Sequence, residues 1–242
     1  MRYPDPSMTD IPQASAFNPK QAGHRQFIID TAFELRQQAV SQQLSWIDGV
    51  LFTHGHADHI FGLDDLRRFN AVMRTAIDIY AETVVLEQLQ KIYPYIFRPH
   101  RNINPSFVAT LNPYQVTVGV PFDLHGATWT AVRLLHGRLP IVGFRIETAD
   151  RVLAYCTDVS SIPPESYPLL ADLDVLVIDS LRYRHHPTHF TVDQALQQID
   201  HLKPKRAYLT HIAHDIVHAD LEPKLPDAVY LPHDGLVVDL EV

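Results

Sequence analysis

The segment THGHADH at residues 53–59 gathers three imidazoles and one carboxylate directly after an apolar tripeptide. Neutral imidazole nitrogens and carboxylate oxygens are ligands that zinc and similar divalent ions prefer. Because side chains two residues apart share one side of an extended chain, His54 and His56 can reach the same ion. Asp58 and His59 follow closely and can turn toward a second ion. The segment therefore predicts a metal site at a strand end, and the alternative is a solvated histidine-rich loop.

Three later residues with metal-binding side chains, His136, Asp158 and His211, also follow apolar runs. Each run predicts a strand, and a site built between two sheets draws its ligands from the loops beyond successive strands. Taken singly, each residue is better explained as a turn cap or a hydrogen-bonded core side chain. The recurrence of the same placement favours a set of ligands instead.

Short apolar runs alternate with helical patterns along the chain and predict two halves of mixed strands and helices. The predicted strands lie near residues 27–30, 49–53, 77–80, 115–118, 127–135, 141–147, 152–156, 174–179, 206–210, 227–231 and 236–240. The predicted helices lie near residues 33–44, 60–70, 82–91, 164–171 and 191–202. Residues 1–26 have little periodicity and predict an irregular N-terminal arm, with a single catalytic domain over residues 27–242.

The composition limits the class of protein. With 242 residues, 46% of them apolar, the chain can build one large domain. The formal charge of −8 argues against a broad nucleic-acid surface. No apolar run reaches the length of a transmembrane helix, so we expect a cytoplasmic protein with no membrane partner. Cys156 is the single cysteine, which excludes an intrachain disulfide and a cysteine-based structural zinc site.

The chain resembles the metallo-β-lactamase fold family, whose HxHxDH hallmark matches residues 54–59. Within that family it is most similar to the phosphodiesterase branch that includes phosphoribosyl cyclic phosphate phosphodiesterase and, more distantly, ribonuclease Z. The resemblance covers the chain from about Phe27 to the C-terminus. The stretches that carry it are Ile29-Asp30-Thr31, residues 56–67 (HADHIFGLDDLR), Gly143-Phe144-Arg145, Thr157-Asp158-Val159-Ser160, His186-Pro187-Thr188-His189-Phe190, Leu209-Thr210-His211-Ile212 and Asp234-Gly235-Leu236.

The resemblance implies an α+β fold, a four-layer αββα sandwich of the metallo-β-lactamase type. It also implies two divalent metal ions, zinc or alternatively manganese. One ion would be held by His54, His56 and His136 and the other by Asp58, His59 and His211, with Asp158 bridging them. Two such ions lower the pKa of a shared water to about 7 and place the resulting hydroxide for attack on phosphorus. Asp58 could also orient this hydroxide.

The resemblance further implies a catalytic role outside the metal shell for His189. An imidazole that titrates near neutrality can stabilise the attacked phosphate or protonate a leaving alkoxide. The alternative is a loop residue that caps the next helix, although Thr191 could form that cap without it. Two further roles follow from residue type alone. Asp64 or Asp65 could accept a hydrogen bond from a ligand histidine, with a solvated helix face as the alternative, and Arg182 could pair with a phosphate.

We therefore expect a binuclear metal-dependent hydrolase, a phosphodiesterase that acts on a small and in particular a cyclic phosphodiester. The alternatives are a hydrolase of the same fold that attacks a thioester, lactone or β-lactam, and an inactive truncated metal-binding fragment. The last alternative arises because residues 1–26 have one glycine and no cysteine, whereas family members begin with a strand and a glycine-rich turn. The opening strand can therefore be missing, which would leave an unpaired sheet edge. A homodimer also remains open.

Overall fold

The computed structural model describes residues 24–98, 100 and 107–240. Its strands are β1 (Phe27–Ile29), β2 (Gly49–Leu51), β3 (Ile77–Ala81), β4 (Leu111–Gln115), β5 (Pro121–Leu124), β6 (Ala127–His136), β7 (Leu139–Glu147), β8 (Val152–Cys156), β9 (Val175–Asp179), β10 (Arg206–Thr210) and β11 (Val229–Tyr230). Its α-helices are α1 (Leu35–Ser41), α2 (Ala57–Ile60), α3 (Leu66–Met73), α4 (Thr83–Ile92), α5 (Pro94–Phe97), α6 (Val192–Leu202) and α7 (His218–Leu221). Short 3₁₀ helices occupy Leu63–Asp65, Pro164–Leu170 and Glu222–Lys224.

The strands in the described residues form two sheets. One has the order β1-β2-β3-β4, and the other has the order β11-β10-β9-β8-β7-β6-β5. Successive residues of a strand face opposite sides, so Val50 packs with the helices outside the first sheet while Leu51 packs between the sheets. In the second sheet, Ala131 likewise faces the first sheet and Val132 faces α6. The four-layer αββα sandwich predicted from the sequence is thus confirmed.

Strand direction decides where the predicted ligands come together. All neighbouring strands of the first sheet run parallel. In the second sheet, β8, β9, β10 and β11 run parallel, and β6 shares their direction because β7 is antiparallel to both β6 and β8. The carboxyl ends of the first-sheet strands therefore meet at one edge, and so do those of β6, β8, β9, β10 and β11 in the second sheet. Ligands from that edge of each sheet can converge on one place.

Most predicted strands correspond to observed strands, but two do not. The strand predicted near 115–118 lies earlier, as β4, and a further strand, β5, follows the Gly119 turn, whose φ is +74°. Residues 236–240 form no strand; the backbone carbonyls of Asp239 and Leu240 instead accept hydrogen bonds from the side chains of Arg206 and Arg151. An apolar run becomes a strand only where a neighbouring strand supplies backbone partners.

The predicted helices also differ in detail. The helix predicted near 60–70 is divided into α2, a 3₁₀ turn and α3. The helix predicted near 164–171 is a 3₁₀ helix, because Pro168 inside it lacks the N–H group that an α-helix would bond to the carbonyl four residues earlier. The first 23 residues of the predicted N-terminal arm lie outside the described residues. In the described part of the chain, β1 is an edge strand of the first sheet.

Candidate metal centre

The loop after β2 carries the first four predicted ligands. Its backbone leaves the sheet at Phe52, whose N–H donates to the Tyr80 carbonyl of β3. The side chain of Gln88 on α4 then holds the turn, because its amide donates to the Gly55 carbonyl at 2.6 Å. The rings of His54 and His56 lie with centroids 4.6 Å apart. The short helix α2 follows at once and carries the other two ligands, Asp58 and His59.

The structure brings the seven predicted ligands into two adjacent clusters. In each cluster, the candidate ligand atoms lie within 4.8 Å of one another. The first cluster contains His54, His56 and His136, and the second contains Asp58, His59, Asp158 and His211. The strand ends of the second sheet supply three of these side chains, and the loop after β2 supplies the other four.

Asp158 lies between the two clusters. Its Oδ1 is 3.3 Å from His59 Nε2, and its Oδ2 is 3.5 Å from His211 Nε2 and 3.9 Å from His54 Nε2. Burial would raise the pKa of Asp158, but the nearby His59 and His211 hold it well below its usual range. The carboxylate is therefore ionised at neutral pH and can share its two oxygens between two cations.

Asp30 is a functional residue that reasoning from the sequence did not assign. It follows β1 and accepts three hydrogen bonds, from the backbone N–H of Thr53 at 2.8 Å, from the Thr53 hydroxyl at 2.7 Å and from His59 Nδ1 at 2.7 Å. Histidine ligands commonly donate their free N–H to a carboxylate in this way. Its placement after an apolar run was the available signal, the same one that marked Asp158.

The donor set fits divalent metal ions. His54 Nε2 is buried and has no hydrogen-bond partner among the described residues, as expected of a nitrogen whose partner is an ion. Burial and the charge of neighbouring His59 lower the pKa of His54 to about 3, so its ring is neutral and ready to bind. Burial likewise lowers the pKa of His56 and of His136. The first cluster is thus a set of neutral imidazoles at neutral pH.

His189 lies beside both clusters. Its ring centroid is 4.6 Å from that of His136 and 4.7 Å from that of His211. Its Nδ1 forms a 2.8 Å hydrogen bond with Oδ2 of Asp179, a fully buried carboxyl at the end of β9. The helix that follows starts without help from His189, because Thr191 and Gln194 form a capping box. His189 is therefore free for another role.

Of the two roles expected from residue type, the one given to Asp64 or Asp65 belongs to another carboxylate, whereas the pairing of Arg182 with a phosphate stays a prediction. Asp64 accepts a hydrogen bond from the Tyr95 hydroxyl and pairs with Arg67, so the carboxylate behind His59 is Asp30 instead. Arg182 donates to the carbonyls of Arg184 and His185 and thereby stabilises its own loop.

In the described part of the chain, no helix is both long enough and apolar enough to cross a membrane.

Known proteins share this architecture. The family model described as a beta-lactamase superfamily domain matches residues 25–212. A crystal structure of a new diphosphatase from the PhnP family is 36% identical, with a TM-score of 0.79, and the match covers 89% of this chain and 80% of that chain. The short form of human tRNase Z shares the fold at 20% identity, with a TM-score of 0.70 and coverage of 89% of this chain and 88% of that chain.

An octanoyltransferase from Porphyromonas gingivalis (strain W83) is 35% identical over 220 residues. The match covers 89% of this chain but 42% of that protein, so the chain spans less than half the length of this relative. The family model covers most of the chain, and the PhnP-family structure extends the likeness over the same region. Together with the His and Asp clusters, these matches show that the chain belongs to the beta-lactamase superfamily domain family, as a metallohydrolase of the metallo-β-lactamase fold in its PhnP-like branch.

Proposed function

We propose that this protein is a binuclear metal-dependent phosphodiesterase that hydrolyses a small phosphodiester, cyclic esters included. The observation that carries the proposal is the pair of donor clusters joined by Asp158, with the hydrogen-bonded pair of His189 and Asp179 beside them. The 36% identity to a diphosphatase of the PhnP family supports chemistry at phosphorus.

In this proposal the first cluster holds one ion and the second cluster holds the other, with Asp158 shared between them. Zinc suits this set of imidazoles and carboxylates, and manganese is the alternative. When bound, two such ions supply a nucleophile from water at neutral pH and offset the negative charge that builds on the phosphate oxygens.

Other side-chain and main-chain groups of the protein orient the attacking water and the ligand histidines. The Asp58 side chain is 56% exposed, so it reaches the solvent side of the clusters, where it can orient an attacking water. Asp30 fixes the ring of His59 through Nδ1 and so leaves its Nε2 for the ion. The main-chain carbonyl of Asp158 does the same for His136, whose Nδ1 lies 2.9 Å from it.

His189 and Asp179 form the proton donor. Burial raises the pKa of Asp179 to about 8, and burial also lowers the pKa of His189. At neutral pH the pair therefore shares one proton between Asp179 Oδ2 and His189 Nδ1. Whichever atom holds that proton, His189 Nε2 carries a hydrogen of its own and can donate it to the leaving oxygen.

The test measures metal content and turnover on the same samples. Purified protein loaded with zinc or manganese is assayed for bound metal by elemental analysis and for hydrolysis of bis(4-nitrophenyl) phosphate and a five-membered cyclic sugar phosphate. We expect about two ions per chain. His189→Ala should keep both ions and lose most turnover, whereas His185→Ala, a change in the same exposed loop, should leave both unchanged.

The candidate ligand atoms of His189, His136 and Asp158 also lie within 4.8 Å of one another. The metal count therefore decides whether His189 is a metal ligand or the proton donor. Loss of an ion in His189→Ala would make His189 a ligand and not the acid. Fewer than two ions in the parent protein, with no phosphodiester hydrolysed, would contradict the proposed function.

A second candidate is thioester hydrolysis, which the name of the octanoyltransferase relative favours. The two chemistries place different demands on His189, because a thiolate is a good leaving group and needs less protonation than an alkoxide. An octanoyl thioester is therefore included among the substrates. Its hydrolysis with no loss in His189→Ala would favour the thioester, and inertness toward it would leave the phosphodiester.

A further inference from the structure

Thr53, the residue directly before the first ligand, connects a ligand histidine to a buried carboxyl. It is 1% exposed, and its hydroxyl oxygen lies 2.7 Å from Asp30 Oδ2 and 3.0 Å from His54 Nδ1. The same oxygen of Asp30 lies 2.7 Å from His59 Nδ1. One carboxyl thus contacts a ligand of the second cluster directly, and it reaches a ligand of the first cluster through a single hydroxyl.

The direction of each of these hydrogen bonds follows from the hydrogens that are present. His59 can bind an ion through Nε2 only if its hydrogen is on Nδ1, so Asp30 Oδ2 accepts from it. The Thr53 hydroxyl has one hydrogen, which it donates to the same carboxylate oxygen. The hydroxyl oxygen then accepts from His54, whose hydrogen is held on Nδ1. The buried Nε2 of His54, which has no partner among the described residues, is thereby left with a free lone pair for an ion.

The main chain of Thr53 is held from both sheets. Its N–H donates to Asp30 Oδ1 at 2.8 Å, directly after β1 of the first sheet. Its carbonyl accepts from the Val142 N–H of β7, in the second sheet, at 3.1 Å. The branched Cβ of threonine further restricts rotation of the side chain. The hydroxyl is therefore fixed between the Asp30 carboxyl and the His54 ring.

We propose that Thr53 is a positioning residue for His54, and that Asp30 acts through it on the first cluster while acting directly on the second. The inference rests on the proposed two-ion centre and deepens it, because the two ions depend on different supports. Loss of the Thr53 hydroxyl should weaken binding of the ion in the first cluster alone. Loss of the Asp30 carboxylate should weaken binding of both ions.

The first test is a zinc titration of the full chain against a chromophoric chelator, which gives a dissociation constant for each ion. Thr53→Val keeps the shape of the side chain but removes the hydroxyl, so it should raise one constant at least about 10-fold and the other less than about threefold. Thr53→Ala should behave in the same way. Thr53→Ser retains a hydroxyl and should bind both ions within about threefold of the wild-type protein. Asp30→Asn should raise both constants, because its NH₂ would donate to the Thr53 hydroxyl and turn the hydroxyl hydrogen toward His54 Nδ1.

Thr130→Val is the matched control for the loss of a buried hydroxyl. Thr130 is 6% exposed and lies in the first half of β6, whereas His136 ends that strand. Because Thr130 is remote from the ligands, this variant should leave both constants unchanged.

The second test observes the ring hydrogens directly, by NMR of zinc-loaded protein with ¹⁵N-labelled histidine. The wild-type protein should show a slowly exchanging hydrogen on His54 Nδ1, because its acceptor is buried. Thr53→Val should lose this protection. The hydrogen on His136 Nδ1, which faces the main-chain carbonyl of Asp158, should keep its protection in the same variant.

Three results would overturn the proposal. They are unchanged constants in Thr53→Val, an equal rise of both constants, which a merely structural change would give, and Thr53→Ser protein that binds zinc as weakly as Thr53→Val. The proposed function fails separately. Selective loss of one ion in Thr53→Val, with no phosphodiester hydrolysed by the wild-type protein, would contradict the phosphodiesterase and still support the role of Thr53.

Discussion

Asp30→Asn should weaken metal binding about 10- to 100-fold, the range typical for loss of a carboxylate behind a ligand histidine. Asparagine keeps an oxygen for the Thr53 N–H but places an NH₂ where Oδ2 now accepts from the Thr53 hydroxyl and His59 Nδ1. His59 then has to move its hydrogen to Nε2, which blocks the nitrogen that faces Asp158. Loss of a hydrogen bond to a charged group costs about 1.5–3 kcal/mol, which corresponds to about the same 10- to 100-fold.

The assay for this prediction is the dissociation constant for Zn²⁺, measured by competition with a chromophoric chelator. Asp172→Asn is the matched control: Asp172 is exposed and also has a left-handed backbone, with a φ of 54° against 62° at Asp30. Asparagine tolerates that conformation, so backbone strain is equal in the two variants. A change of less than about twofold in folded Asp30→Asn protein would refute the reasoning, because a carboxylate that orients His59 cannot be neutralised without effect.

Four further changes test other parts of the structure. Asp158→Ala should remove bound metal from both clusters, measured by elemental analysis, because Asp158 lies 3.3 Å from His59 and 3.9 Å from His54. Asp179→Asn should keep the metal but lower kcat at least about tenfold. In the wild-type protein, kcat should fall above about pH 8, where Asp179 and His189 lose their shared proton. A pH profile of kcat that stays flat up to about pH 9.5 would contradict the role of this pair as proton donor. Thr191→Ala should lower the free energy of unfolding by about 0.5–2 kcal/mol in urea denaturation, because the capping box of α6 is lost. Thr117→Ala, in the exposed loop between β4 and β5, should change it little, because the Thr117 hydroxyl has no hydrogen bond within the described part of the chain. Gly143→Ala should cost about 1–3 kcal/mol in the same measurement, because its Cβ would lie 2.6 Å from the Tyr155 carbonyl oxygen.

The part of the centre that the sequence predicts best is the part that is dense in the sequence. Residues 54–59 place four candidate ligands within six consecutive positions, and no ordinary packing role explains such a group. His136, Asp158 and His211 required a second idea, that side chains after strands of the same direction meet at one edge. The structure places all three there.

Asp30 and Asp179 were harder to assign, for a physical reason. A single aspartate after a strand is common in proteins, and its role depends on which histidine lies beside it in space. Asp30 contacts His59, 29 residues later, and Asp179 contacts His189, 10 residues later. The missed strand β5 and the strand wrongly predicted at residues 236–240 share this limitation, because each outcome depends on which strands lie beside the segment in space.

The division of the candidate ligands between the sheets has a mechanical consequence. His54, His56, Asp58 and His59 follow a strand of the first sheet, whereas His136, Asp158 and His211 belong to the second. An ion bound to side chains from both sheets would tether the two halves of the sandwich, as a disulfide bond does in other proteins. At a free metal concentration of about 1,000 times the dissociation constant, metal binding would add about 4 kcal/mol to the free energy of unfolding. Chelation should therefore lower the melting temperature and speed amide hydrogen exchange in the core between the sheets, around Leu51, Trp129 and Phe144.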